Sequence, residues 1–123
     1  MIHFDTDFLI QTVVAGSVAH EKFRGWTQTQ DACSASSIAW AEFLCGPLDA
    51  TAENLARQIF PNPEPFLPAD AALSARLFNK TGRRSRSLAD CMIAAVAIRC
   101  GAKLATHNTA DFQPFVPLGL ILA

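Results

Sequence analysis

Met1-Ile2-His3-Phe4-Asp5-Thr6-Asp7-Phe8-Leu9-Ile10 is the stretch that decides the fold. Ile2 to Phe4 reads as a short buried strand, and Asp5 closes it. From Thr6 to Val14 the residues read as a helix, with Asp5 or Thr6 able to cap it. A buried strand running into a capped helix is the start of a parallel α/β unit. In an open α/β sheet, strand C-termini and helix N-termini meet at one edge, where ligands bind. Asp5 is expected at that edge.

Working outward, Gly16 breaks the first helix and Ser17 to Gln30 reads as a second, more polar one with Gly25 as a weak point. Cys33 to Ser37 reads as a second strand, and Ile38 to Leu44 as a helix stopped by Gly46-Pro47. Leu48 to Phe60 gives another helix, with Leu55, Ile59 and Phe60 on one side. Pro61, Pro63, Pro65 and Pro68 force an extended connection, with room for a short strand at Phe66-Leu67. Ala69 to Thr81 is helical and Gly82 ends it. The clearest helix runs from Ser87 to Arg99. Leu88, Cys91, Met92, Ala95 and Val96 follow helical spacing, and Ile93, Ala94, Ala97 and Ile98 cover most of the rest. A helix apolar nearly all round is buried. Ala102 to Thr106 and Leu118 to Leu122 read as the last strands. Alternating strands and helices predict an α/β fold with a central parallel sheet, in one domain spanning residues 1–123.

Four separated acids, Asp5, Glu42, Asp90 and Asp111, converge if this sheet forms. Burying carboxylates costs several kcal/mol per ion unless they are paired, and neighbouring like charges raise each other's pKa. No Lys or Arg lies immediately beside Asp5, Glu42 or Asp111 in sequence. A hard divalent cation, Mg²⁺ or Mn²⁺, is the simplest partner for such a cluster. Each acid has an ordinary reading beside this one. Asp5 is a possible helix cap, Glu42 a solvated residue beside Trp40, Phe43 and Leu44, and Asp111 a turn residue. Ser87-Leu88-Ala89-Asp90 resembles a capping box, with Asp90 at its third helical position. Thr6, Thr106 and Asn108 are small polar groups suited to orienting a carboxylate or to capping and turns. Of His3, His20 and His107, none at ligand spacing, His107 is expected nearest the acids. Asp5-Thr6-Asp7 also offers the DxD opening of haloacid dehalogenase-like phosphatases, although Leu9 departs from that motif.

The chain has 123 residues and a formal net charge of −1, so its overall balance does not announce a nucleic-acid binder. Locally the balance differs. Between Asp70 and Asp90 there is no acid, while Arg76, Lys80, Arg83, Arg84 and Arg86 fall in that interval. Such a segment suits a polyanionic backbone held against the acids, a solvated loop, or a partner's acidic tail. Charged residues make up 17% of the chain and apolar ones 50%, enough for a full core and an apolar interface. Cys33, Cys45, Cys91 and Cys100 lack zinc spacing and read as reduced core residues of a cytoplasmic protein. No signal peptide and no apolar run of membrane-spanning length is visible, so no membrane association is expected.

In order along the chain, these segments resemble the PIN domain, specifically the VapC-like toxins of type II toxin–antitoxin modules. Ile2 to Ile10 is similar to the family's strand, Asp-Thr/Ser-Asn/Ser and helix. Ser37 to Gly46 resembles the segment carrying its Glu, and Arg83 to Ala97 the segment carrying its third acid. Leu104-Ala105-Thr106-His107-Asn108-Thr109-Ala110-Asp111-Phe112 is similar to its Thr-x-Asn-x-x-Asp-Phe end. Asp7 departs from the pattern, standing where the family usually has Asn or Ser. The resemblance implies a PIN-like three-layer α/β/α fold and an Mg²⁺- or Mn²⁺-dependent endoribonuclease. It also implies a cognate antitoxin and a homodimer. Asp5, Asp90 and Asp111 are then the expected metal ligands, with Glu42 completing the catalytic set. Arg83, Arg84 and Arg86 are the expected RNA-binding residues. A phosphatase using Asp5 and Asp7, and a non-catalytic module that keeps the fold to bind nucleic acid or protein, are the alternatives.

Overall fold

The computed structural model describes residues 1–123. Strand β1 (Ile2–Phe4) is followed by helices α1 (Thr6–Thr12) and α2 (Val18–Gln28), then β2 (Cys33–Ala35) and α3 (Ser37–Cys45). Helices α4 (Ala50–Ile59), α5 (Pro68–Lys80) and α6 (Leu88–Arg99) lead to β3 (Lys103–Ala105). A short α7 (Thr109–Phe112), a 3-10 turn over Gln113–Leu118 and β4 (Ile121–Leu122) complete the chain. The sheet has the order β2-β1-β3-β4, with every pair parallel, and helices flank it.

Register places the functional edge. Phe4 is level with Ala35 on one side and with Ala105 on the other. Asp5, Ser36 and Thr106 therefore leave the sheet side by side. The chain passes from β1 to one neighbour, β2, and later returns to the other, β3. Their junction at β1 is a topological switch point, where the crevice of an open α/β sheet forms. Asp5 N–H donates to the Ala105 carbonyl at 3.1 Å and fastens the two strand ends there.

The side chain of Phe4 organises the core. Its ring lies 4.9 Å from Phe8, 5.3 Å from Phe60, 5.8 Å from Trp26 and 6.0 Å from Phe23, centroid to centroid. These separations fall within the favourable range for aromatic pairs. On α6, Cys91 and the run Ile93–Ala97 are buried, as its all-round apolar character predicts. Its alanines let α5 pack closely along it.

Several sequence expectations need correction. Phe66-Leu67 forms no strand. The only sheet-like pairing there is a bridge between Glu64 and Ser36, because Pro65 and Pro68 remove donors on either side. On α4 it is Ala56 that is buried, with Phe60 just beyond, while Leu55 is 38% exposed. Cys45, expected in the core, is exposed at the end of α3. The final strand is confined to Ile121–Leu122, since Pro114 and Pro117 favour the 3-10 turn before it. Gly25 does not interrupt α2.

The sequence pattern also leaves one ion-pair network unseen. Buried Asp70 accepts from Arg99 Nε at 2.7 Å and from Leu67 N–H at 2.8 Å, and Glu64 lies 3.3 Å from Arg99 Nη1. His3, on the opposite side of β1 from Phe4, is buried with neither ring nitrogen hydrogen-bonded. Burial holds its pKa below the ordinary 6.5, with Glu64 opposing and Arg99 reinforcing that shift.

Candidate active site

Asp5 both caps a helix and joins the site. Its Oδ1 accepts from Phe8 N–H at 2.8 Å at the start of α1, and its Oδ2 accepts from the Thr106 hydroxyl at the end of β3. The two ordinary readings of Asp5 and Thr106 are thus one contact across the switch point. Thr106 Oγ1 also accepts from Asn108 N–H at 2.9 Å, which shapes the turn into α7.

Two further acids are held by neutral donors from distant segments. Thr6 Oγ1 donates to Glu42 Oε1 at 2.6 Å, tying α1 to α3. Asn108 Nδ2 donates to Asp7 Oδ2 at 2.6 Å, tying α1 to the β3–α7 turn. Asp7, the departure from the expected pattern, is therefore a brace for Asn108. The Asn108 carbonyl in turn receives Asp111 N–H at 3.0 Å.

Asp90 and Asp111 differ from these three. Neither carboxylate has a protein hydrogen-bond donor or an ion-pair partner. The capping box suggested by Ser87 and Asp90 does not form. Ser87 has helical backbone angles, and its hydroxyl donates instead to the Arg84 carbonyl at 2.8 Å. Asp90 is free to face a cavity of about 330 Å³ that Asp111 also lines. Thr81, Arg84, Arg86 and Phe115 form other parts of its wall. Arg83 lies outside this wall, on the turn where Gly82 (φ 94°) and Arg83 (φ 55°) take left-handed angles after α5.

The electrostatics record the convergence. The Asp90 carboxyl is pushed up from 3.8 to about 6, first by burial and then by the charges of Asp111, Glu42, Asp5 and Asp7. Asp5 is also raised, chiefly by burial, with the bonds from Thr106 and Phe8 N–H pulling the other way. His107, expected nearest the acids, lies over the Phe8 ring at 4.9 Å and acts on Asp5.

The donor set is all oxygen and strongly anionic, which matches hard cations such as Mg²⁺ and Mn²⁺. No three of its acids already stand as a closed ligand set. Thr81, Ser87 and Phe115 are lining residues that sequence reasoning did not identify. Thr81 and Phe115 carried no signal, and Ser87 carried only a capping signal.

Comparison with known proteins agrees with this architecture. The sequence matches the PIN domain over residues 2–113, and the chain belongs to that family. Among solved structures, a chain of VapBC2 from Rickettsia felis, bound to a DNA fragment from their promoter, superposes with a TM-score of 0.76 at 18% identity. That match covers 100% of this chain and 98% of the other. A toxin-antitoxin complex from Klebsiella pneumoniae gives 0.74 at 25% identity, covering 91% and 90%. FitAcB from Neisseria gonorrhoeae gives 0.71 at 20% identity, covering 100% and 97%. No curated protein sequence matches. The expected PIN-like α/β fold thus stands.

Proposed function

We infer that this protein is a metal-dependent endoribonuclease, the toxin of a toxin–antitoxin pair. The carrying observation is the meeting of Asp5, Asp7, Glu42, Asp90 and Asp111 at the β1/β3 switch point, with Asp90 and Asp111 unpaired on the cavity wall. PIN family membership supports nuclease chemistry, and the Klebsiella pneumoniae complex at 25% identity supports the toxin role. By the same reasoning the partners are an antitoxin that covers the site and a second copy of the chain. The toxin reading, whose substrate is RNA, also puts the protein in the cytoplasm. No helix is long and apolar enough to cross a membrane.

Asp5, Asp90 and Asp111 would hold Mg²⁺ or Mn²⁺. Such an ion, when bound, acidifies water and neutralises charge on a phosphate. The protein's own contribution is positional. Thr106 fixes the Asp5 carboxylate, Thr6 fixes Glu42, and the Asp7–Asn108 pair fixes the turn that carries Asp111. Glu42 or Asp111, both exposed to solvent, accepts the proton lost by the attacking water. Arg84 and Arg86 hold the RNA backbone from the cavity wall, and Arg83 adds charge from outside it.

The test is cleavage of single-stranded and structured RNA by purified, antitoxin-free protein, in Mn²⁺ or EDTA, beside Asp5→Asn. Cleavage that needs both the metal and Asp5 is the expected result. Folded, metal-loaded protein that cuts none of the RNAs would move the assignment to a PIN-fold binding module.

A further inference from the structure

The His107 ring sits beside the acids, yet it makes an ion pair with none of them. It is held by stacking instead. The ring lies over that of Phe8, with centroids 4.9 Å apart and planes 32° from parallel. Phe8 is 1% exposed and is fixed in the core by Phe4 at 4.9 Å and Trp26 at 5.8 Å. The backbone on both sides of His107 is pinned as well. Thr106 bonds to Asp5 and receives the Asn108 N–H at 2.9 Å, and the Asn108 side chain bonds to Asp7 at 2.6 Å. His107 is nevertheless exposed. A ring with one face on a buried aromatic presents its other face to solvent, and a ring already fixed in place loses little entropy when something stacks on it. His107 does not line the cavity that Asp90 and Asp111 share with Arg84 and Arg86. It flanks the acids from the side of α1, and the arginines flank them from the loop before α6.

We propose that the outer face of His107 is a stacking platform for an unpaired nucleobase of the RNA, the base next to the scissile phosphate. This rests on the nuclease reading above, which supplies the strand. A strand crossing the acids puts a phosphate at the cation and turns its bases aside. The base on the α1 side meets the imidazole. Every base has a π-face, so this contact holds a nucleotide without reading its identity. A base inside a duplex is already stacked and paired, so the platform selects single strands and loops.

The experiment uses the purified, antitoxin-free chain as wild type, His107→Ala, His107→Phe and His107→Arg, each checked for folding by circular dichroism. Anisotropy in Ca²⁺ reads the binding of two fluorescent single strands: an oligoriboadenylate, and a ribose-phosphate chain of the same length without bases. Cleavage of the oligoriboadenylate is read in Mn²⁺. His107→Ala is expected to weaken oligoriboadenylate binding about 5- to 150-fold, the range for one base on an aromatic ring, and to leave the baseless chain unaffected. His107→Phe should bind as wild type does, because it keeps a ring and drops the charge. An equal loss on both strands, or rescue by His107→Arg but not by His107→Phe, assigns charge in place of stacking and overturns the platform. Oligoriboadenylate binding indifferent to His107→Ala overturns it whether or not the protein cuts. Binding that follows the expected pattern without any cleavage keeps the platform and removes the nuclease reading. Folded wild type that binds neither strand overturns both.

Discussion

Neutralising Asp90 should make the metal-free protein more stable. Its carboxyl titrates at about 6 instead of the ordinary 3.8, because it is half-buried among Asp111, Glu42, Asp5 and Asp7. At about 1.36 kcal/mol for each tenfold change in proton affinity, that gap corresponds to ~3 kcal/mol against the ionised form. Asp90 is only partly shielded from water, so solvent screening reduces the figure to ~1–1.5 kcal/mol. The sign follows from linkage. A carboxyl whose folded pKa is raised adds no penalty below its unfolded value. The penalty grows as pH rises through the interval from 3.8 to about 6 and is complete above it. Asp90→Asn should therefore melt about 4–7 °C above wild type at pH 7.5 in EDTA, and nearly level with it at pH 4. The side-chain amide breaks no hydrogen bond, because Asp90 makes none in the fold. Mn²⁺ at 100 times its Kd should add ~2.7 kcal/mol to wild type if it binds only the native state, and less to the variant. Differential scanning calorimetry across pH, with and without Mn²⁺, reads both effects. An Asp90→Asn shift that is absent at pH 7.5, or equal at pH 4 and pH 7.5, would refute a folded-state penalty on the Asp90 charge from burial and the neighbouring acids.

Two further substitutions test particular contacts. Thr106→Val removes the donor to Asp5 Oδ2 and the acceptor for Asn108 N–H; stability should fall by ~2 kcal/mol in urea titrations and RNA cleavage by at least about tenfold, with Thr106→Ser restoring most of both. His3→Leu removes two buried, unbonded ring nitrogens and should stabilise the fold by ~1–2 kcal/mol at pH 7.5. Because the folded pKa of His3 is depressed, its stability contribution is lost as pH falls below 6.5, and the variant should flatten that loss in melts between pH 7.5 and pH 5.

The acids of the candidate site were legible along the chain because Asp5, Asp90 and Asp111 each sit where a strand ends or a helix begins. An apolar tripeptide before Asp5 could only be a buried strand, and Asp5 then had to emerge at its end. The all-round apolar α6 could only lie in the interior, which carried Asp90 with it. The polar turn after Leu104-Ala105 located Asp111 in the same way. Local chemistry misled where two uses share one residue pattern. Ser87 and Asp90 spell a capping box, but the Ser87 hydroxyl is taken by the Arg84 carbonyl, and Asp90 is left for the cavity. Phe66-Leu67 looks like a strand until the flanking prolines and the Glu64 bridge are placed.

By itself, then, the sequence determined the α/β alternation, the buried helix and the positions of the acids, because burial patterns and caps act over a few residues. Tertiary structure decided which acids are restrained and which are free. The donors Thr6, Thr106 and Asn108 reach their carboxylates across 36, 101 and 101 positions of chain, and no local rule links residues so far apart. Tertiary structure also separated Arg84 and Arg86 from Arg83. All three have the same charge and neighbourhood in sequence, and only the folded loop, with Arg83 on the left-handed turn after α5, shows that Arg84 and Arg86 line the cavity with Asp90 and Asp111 while Arg83 does not.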